Sequence, residues 1–185
     1  RLGAMLGDFI RGRAALETYT PALQRGILLH RHIDAFTDTL PLVADLRVAF
    51  MPPFRRYSGI IIDLGLDYEL ARRWGDFGRD SLEDFDRGVR EMLAQNAELL
   101  PHGLIRFMAY ADRRGLFAAY RYSSEILYSL VGVGTRLSRP NPLHRVDEIW
   151  PDIEPRLNAN FEPVFEQVQS EVAAWLKSKS TITGS

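Results

Sequence analysis

Apolar residues recur at helical spacing along most of this chain, and no stretch shows the strict alternation typical of a strand. The clearest pattern runs from Phe161 to Leu176, where apolar side chains return every three or four residues. The same spacing predicts the other helices: residues 21–37, 55–74, 81–99, 104–119 and 122–138.

Short segments join these predicted helices, and the proline-rich stretch 139–151 is expected to cross the surface as a loop. The fold class is therefore all-α, a compact bundle of about six to eight helices. We expect one domain over residues 1–176, followed by a frayed tail over 177–185. Because the chain starts at arginine inside such a pattern, we also expect a native N-terminal segment to precede residue 1.

Polar residues interrupt the apolar stripe of predicted helix 21–37. At about 100° per residue, His30, Asp34 and Asp38 fall on the same stripe as Ile27. His30 and Asp34 are four residues apart, so their side chains are neighbours on the helix surface. The stripe thus places an imidazole and a carboxylate together.

Predicted helix 55–74 repeats this arrangement. Asp63 and Asp67 are four residues apart, and Asp67 shares a stripe with Ile60 and Leu64. A carboxylate buried without a partner costs several kcal/mol, so acids on an apolar stripe need a compensating charge.

A divalent cation is one such compensation. Carboxylate oxygens suit Mg²⁺ and Mn²⁺, and an added imidazole suits Mn, Fe or Zn. Asp8 is a further candidate, because the preceding Gly7 allows a close backbone approach. Acids from three segments in one cavity would form a metal site that activates water.

Local roles are the alternative interpretation. Asp8 would then be a helix N-cap, and Asp34 and Asp38 would pair with Arg31 and nearby arginines as solvated charges. Asp63 is the weakest candidate as a ligand and would only brace another residue. Spacing alone leaves both interpretations open.

The amino-acid composition excludes several classes of site and of function. The 185 residues include no cysteine, which excludes disulfides, thiolate metal sites and cysteine nucleophiles. The net charge of −1 argues against a nucleic-acid binder, although residues 1–60 hold eight arginines and only five acids, a balance that suits an acidic partner. No membrane span or signal peptide is visible, and a cytoplasmic protein is expected.

Several strings, read in order, resemble the bacterial acyl carrier protein phosphodiesterase family, also called acyl carrier protein hydrolyase. They are GAMLGDFIRG at 3–12, GILLHRHIDAFTD at 26–38, RRY at 55–57, DLGLD at 63–67 and LARRW at 70–74. The resemblance implies an all-helical, divergent member of the HD-type metal-dependent phosphohydrolases. The implied reaction cleaves 4′-phosphopantetheine from holo-acyl carrier protein, leaving apo-acyl carrier protein. Mn²⁺ is the implied activator, with Mg²⁺ as the alternative.

The resemblance also assigns roles to residues. It implies catalytic and metal-binding roles for Asp8, His30, Asp34 and Asp67 and supporting roles for Asp38, Asp63 and Tyr68. In the implied reaction, phosphate oxygens suit the guanidinium groups of Arg31, Arg55 and Arg56. Acyl carrier proteins are strongly acidic, so we expect docking to involve Arg11, Arg13, Arg25 and Arg47.

Two features depart from the family pattern. The family reads Asp-His where this chain has Asp67-Tyr68, and a neutral phenol is a poor ligand for Mn²⁺. The histidine-containing stretch expected before the GDF string is also absent. These departures favour an impaired homologue that binds acyl carrier protein without turnover. A hydrolase of the same type that acts on another small phosphodiester is a second alternative.

Overall fold

Helices make up most of the chain in the part described by the computed structural model, which covers residues 1–181 apart from the side chains of Tyr110, Arg113, Arg114, Ser180 and Thr181. The α-helices are α1 (Leu2–Leu6), α2 (Arg13–Glu17), α3 (Pro21–Thr39), α4 (Pro41–Val48), α5 (Ser58–Arg72), α6 (Trp74–Phe77), α7 (Leu82–Gln95), α8 (His102–Arg114), α9 (Ser123–Arg136) and α10 (Trp150–Thr181). Short 3₁₀ helices cover Phe54–Tyr57, Ala97–Leu99, Ala118–Arg121 and Leu143–Glu148. The all-α prediction is confirmed.

The short helices make the chain more finely divided than the six to eight helices expected. α1, α2, α4 and α6 are four to eight residues long, too short for the apolar spacing to stand out. The predicted helix 55–74 is likewise divided into a 3₁₀ turn, α5 and α6.

The last helix is longer than expected at both ends. α10 begins at Trp150, inside the predicted loop 139–151, and it contains Pro155 and Pro163. It continues through Thr181, so residues 177–181 are helical where we expected a frayed tail. Residues 182–185 of that tail lie outside the described residues.

Backbone contacts group the chain into two compact units. Of the described residues, the first unit comprises 1–37, 83–116 and 167–181, and the second comprises 38–82 and 117–166. The chain therefore passes from one unit to the other several times. The single domain expected over residues 1–176 stays a prediction.

The first unit buries apolar side chains from α1, α3, α7 and α8. Its fully buried members include Leu6, Ile27, Leu93 and Leu104. At about 25 cal/mol per Å² of apolar surface, each such side chain contributes roughly 1.5–3 kcal/mol through its removal from water.

The second unit is organised around α5, which contacts α4, α6 and α9. A side-chain carbon on Gly65 of α5 would lie 2.4 Å from Cδ1 of Leu157 of α10, so a larger residue there would force the Leu157 side chain to move. The buried face of α5 includes Ile61, Tyr68 and Glu69, whereas Asp67 is exposed. The apolar stripe assigned to Asp67 was therefore wrong, and Glu69 is the buried acid of this helix.

Across the described residues, no helix is both long enough and apolar enough to span a membrane.

Candidate metal centre

The candidate site begins with the turn that follows α1. This turn passes so close to α3 that a side-chain carbon on Gly7 would lie 2.0 Å from Cδ2 of His30. One turn earlier, a side-chain carbon on Gly3 would lie 2.8 Å from Cα of Gly26. The glycines at 3, 7 and 26 thus let the backbone of the N-terminal segment lie directly against α3.

This close approach brings Asp8 to His30. The Nε2 atom of His30 lies 3.1 Å from Oδ1 of Asp8 and 3.2 Å from Oδ2 of Asp34. Asp34 comes from the next turn of α3, at the four-residue spacing predicted from the sequence. One donor atom from each of the three residues lies within 4.8 Å of the other two. The structure therefore joins three of the predicted ligands, which are separated by up to 26 positions.

Solvent reaches this cluster from the carboxylate side. The side chains of Asp8 and Asp34 are 72% and 58% exposed, whereas that of His30 is 24% exposed. The hydrogen bond from His30 lowers the pKa of the Asp8 carboxyl below its ordinary value, despite the opposing effect of burial. Asp8 is therefore a carboxylate near neutral pH, which is the form that binds a cation.

The donor set fits a divalent cation. Two carboxylates and one imidazole match the ligand preferences of Mn²⁺, Fe²⁺ and Zn²⁺, and Mg²⁺ accepts the carboxylates. A metal site used in catalysis keeps a coordination position open for water or substrate, and three protein ligands leave such a position. The exposure of both carboxylates would leave it accessible.

Arg31 secures the other end of the same turn. Its guanidinium donates a hydrogen bond to the backbone carbonyl of Ile10, two residues after Asp8. Phe9, between them, lies against the ring of Phe107 in α8. Asp8 therefore lies on a turn that is held at Gly7, Phe9 and Ile10. It is not a helix N-cap, since the residue that precedes α2 is Gly12.

α3 also contacts the C-terminal part of α10 in this unit. Nε2 of His32 lies 2.7 Å from Oε1 of Glu171, and the His32 ring packs near Trp175. These contacts fix the helix that supplies two of the three candidate ligands.

The other acidic residues predicted for the site, Asp38, Asp63 and Asp67, lie in the second unit. Asp38 accepts a hydrogen bond from Arg47, so the surface-pair interpretation holds for Asp38. Asp63 and Asp67 are both exposed on α5. A part for Asp63 or Asp67 in binding the metal stays a prediction.

Tyr68 has a defined structural environment. Its ring is buried and meets Trp150 edge-on, and its hydroxyl donates a hydrogen bond to Glu154 of α10. The neighbouring Glu69 is fully buried and accepts a hydrogen bond from Asn158 at 3.0 Å and one from Arg72 at 3.2 Å. Sequence reasoning missed the burial of Glu69, because Asn158 of α10, which donates one of these hydrogen bonds, is 89 positions away.

The predicted phosphate and docking arginines are mostly solvent-exposed. Arg13 pairs with Glu17 one helical turn later, which uses part of its charge locally. The other exposed arginines of this set are Arg11, Arg25, Arg55 and Arg56. Their assigned roles stay predictions.

Comparison with known proteins agrees with the resemblance seen in the sequence. The family model described as acyl carrier protein phosphodiesterase matches residues 1–168. The chain belongs to this family. All three members of the candidate metal cluster lie within the matched range.

Relatives in the acyl carrier protein phosphodiesterase family align with nearly the whole chain. A protein of that name from Enterobacter sp. (strain 638) is 30% identical over 96% of this chain and 90% of its own length. The protein of that name from Yersinia enterocolitica is 29% identical over 92% of this chain and 90% of its own length. One from Escherichia coli O6:H1 is 30% identical over 85% of this chain and 80% of its own length. No solved structure matches the chain.

Proposed function

We propose that this protein is a metal-dependent phosphodiester hydrolase that removes 4′-phosphopantetheine from holo-acyl carrier protein in the cytoplasm. The observation that carries the proposal is the cluster of Asp8, His30 and Asp34, whose donor atoms converge within 4.8 Å inside the family match. The relatives' name supplies the substrate class.

The three clustered residues have distinct parts in this proposal. Asp8 and Asp34 provide anionic oxygens, and His30 provides Nε2 between them. When bound, a divalent cation would polarise the phosphodiester and favour deprotonation of the attacking water. We propose Mn²⁺ because an imidazole ligand favours it over Mg²⁺.

The proposed reaction hydrolyses the phosphodiester between 4′-phosphopantetheine and a serine of the carrier protein. The water oxygen forms a bond to phosphorus while the bond between phosphorus and the serine oxygen of the carrier protein breaks. The serine oxygen takes up a proton, and 4′-phosphopantetheine leaves with the new hydroxyl on its phosphate. We also propose Asp67 as a further metal ligand. The relationship to the HD-type metal-dependent phosphohydrolases is part of the same proposal.

Tyr68 bears on whether the protein is active. Its hydroxyl is committed to Glu154, and burial together with this hydrogen bond raises its pKa to about 12. Tyr68 is thus a neutral phenol that links α5 to α10. Three protein ligands already suffice for many catalytic metal sites, which supports activity without a histidine at position 68.

The deciding experiment incubates the protein with holo-acyl carrier protein and Mn²⁺ and follows the intact mass of the carrier protein. We expect loss of the phosphopantetheine mass, abolished by a chelator and restored by excess Mn²⁺. The Asp34→Asn variant should leave the mass unchanged under the same conditions.

Other outcomes would replace this function with another. Unchanged mass together with carrier protein binding would indicate the impaired homologue. Turnover of small phosphodiesters with holo-acyl carrier protein untouched would indicate a hydrolase of another substrate. Turnover unaffected by the chelator would contradict metal dependence.

A further inference from the structure

The second unit presents an unusual pair of apolar side chains to solvent. Val48 ends α4 and Met51 follows three residues later, and they are 67% and 72% exposed. No other large hydrophobic side chain of known exposure in residues 1–181 is as exposed as either. Pro52 and Pro53 directly follow and are also exposed. We call Val48, Met51, Pro52 and Pro53 the apolar turn.

The apolar turn is firmly anchored. Phe50 and Phe54, which flank the three exposed residues 51–53, are 2% and 5% exposed. The backbone amides of Phe54 and Arg55 both donate to the carbonyl of Met51, at 2.9 and 3.1 Å. Met51 is therefore held outward by a buried framework. A preordered apolar contact of this kind loses little conformational entropy when a partner covers it.

Positive charge borders the apolar turn on its C-terminal side. Arg55 and Arg56 lie in the 3₁₀ helix Phe54–Tyr57 and are both exposed. Residues 46–57 contain three arginines and no acidic residue. Arg47 already pairs with Asp38, whereas within residues 1–181 neither Arg55 nor Arg56 forms an ion pair. The two arginines therefore remain available to an anionic partner.

Exposed apolar side chains beside unpaired cations are complementary to a protein surface that carries apolar residues flanked by carboxylates. Long-range attraction to the two arginines would speed the approach of such a partner. A small phosphodiester has no apolar surface of the size needed to cover Val48 and Met51 together. The combination thus favours a protein partner over a phosphate group.

We propose that the apolar turn, with Arg55 and Arg56, is the surface on which the acidic acyl carrier protein docks. Met51 and Val48 contact apolar residues of the carrier protein, and the two arginines pair with its carboxylates. The choice of partner rests on the proposed function. The assignment moves Arg55 and Arg56 from holding the scissile phosphate, as the family resemblance implies, to holding the protein that carries it.

The test measures binding and turnover separately. Isothermal titration with holo-acyl carrier protein is compared for wild type, Met51→Asp, Met51→Ser and Arg56→Glu. We expect the Met51→Asp and Arg56→Glu variants to bind at least about tenfold more weakly, and Met51→Ser to be intermediate. For the two Met51 variants, turnover of bis(p-nitrophenyl) phosphate with Mn²⁺ should stay within about twofold of wild type, because that substrate does not need docking.

Matched controls come from the same unit. Leu137→Asp alters another exposed apolar side chain, and Arg156→Glu reverses the charge of another exposed arginine. Both controls should bind holo-acyl carrier protein as wild type does. Raising the salt concentration should weaken wild-type binding more than binding by Arg56→Glu, since that variant lacks one attractive charge.

The outcomes separate this proposal from the proposed function. Wild-type release of phosphopantetheine with unchanged binding by Met51→Asp and Arg56→Glu would overturn the docking surface and leave the function in place. Parallel loss of small-diester turnover in Arg56→Glu would return that arginine to phosphate binding and also overturn it. Wild-type protein that neither binds nor cleaves the carrier protein would overturn both proposals.

Discussion

At the scale of single residues, the central atom of the candidate site is Nε2 of His30. It lies within 3.2 Å of two carboxylates from different segments, and these carboxylates repel each other unless positive charge lies between them. A divalent cation held by the two carboxylates and the imidazole would provide that charge.

Replacement of Asp34 by asparagine tests this arrangement directly. We expect Asp34→Asn to weaken Mn²⁺ binding at least about tenfold, because one anionic ligand is lost. Titration followed by the electron paramagnetic resonance signal of free Mn²⁺ measures the affinity.

Asp38→Asn is the matched control, since Asp38 lies one turn further along α3 and its side chain has the same 58% exposure. It should retain Mn²⁺ affinity within about twofold and lose about 0.2–1 kcal/mol of stability with its Arg47 pair. Equal loss of affinity in the two variants would show that binding reflects general negative charge on α3.

The raised pKa of Tyr68 predicts that the protein loses stability at high pH. Its folded pKa of about 12 lies above the unfolded value of 10, so the unfolded state loses the phenolic proton first. The contribution of this proton to the free energy of unfolding is therefore fully present below pH 10. It is lost as the pH rises from 10 to 12, and the loss amounts to about 2–3 kcal/mol. The measurement is urea unfolding of wild type and Tyr68→Phe between pH 8 and pH 11.

The difference in unfolding free energy between wild type and Tyr68→Phe should shrink as the pH rises above 10. A difference that stays constant over this range would mean that the hydroxyl of Tyr68 does not differ in protonation between the two states. Comparing the two proteins at each pH removes the effect of the other groups that titrate in this range.

At the scale of elements, the packing of the N-terminal turn against α3 predicts that Gly7 is needed for metal binding. A methyl group at position 7 must displace the His30 ring, because it would lie 2.0 Å from Cδ2, the neighbour of Nε2. We expect Gly7→Ala to weaken Mn²⁺ binding about tenfold and to cost about 1–3 kcal/mol of stability through overpacking. Mn²⁺ titration and urea unfolding measure the two effects.

Gly88→Ala provides the comparison. Gly88 lies within α7, and nothing lies within 4 Å of an added side-chain carbon there. This variant should gain up to about 1 kcal/mol from helix propensity and bind Mn²⁺ normally. Folded Gly7→Ala protein with wild-type affinity would contradict a positioning role for Gly7.

Elements with a strong local signal were predictable from the sequence. The helix predicted over 21–37 is observed as Pro21–Thr39. It was predictable because proline suits the first helical position and the helical spacing of apolar residues follows that proline. The neighbouring placement of His30 and Asp34 followed from the same spacing. The contact with Asp8 did not, because it depends on backbone approach at Gly7 rather than on any periodic signal.

α5 shows where the local pattern failed. Apolar residues occupy several faces of this helix, including Ile60, Ile61 and Ile62, so no single stripe identifies its buried side. The buried face includes Glu69, whose carboxylate pairs with Arg72 and accepts a hydrogen bond from Asn158. The hydrogen bond from Asn158 of α10 leaves no trace in the sequence around Glu69.

At the scale of the whole molecule, metal binding should raise thermal stability. A ligand present at 100 times its dissociation constant stabilises the folded state by about 2.7 kcal/mol. For a chain of this size that corresponds to an increase in Tm of roughly 5–10 °C. Differential scanning calorimetry with Mn²⁺, and with Mn²⁺ plus chelator, measures the increase.

The increase in Tm should disappear with the chelator and should be largely absent in Asp34→Asn. An equal increase in that variant would place the stabilising ion elsewhere on the molecule. Since this measurement needs no substrate, it tests the metal site independently of the reaction.

The contact between α1 and α3 has a consequence for how this family can evolve. Gly3 and Gly26 contain no group that ionises or coordinates, yet a methyl group on either would lie 2.8 Å from Cα of the other. Neither position can accept alanine unless the two backbones first move apart, and that movement would carry Asp8 away from His30. Natural selection for the ligands should therefore also constrain these glycines, and a comparison of homologues would find them as invariant as residues that contact the substrate.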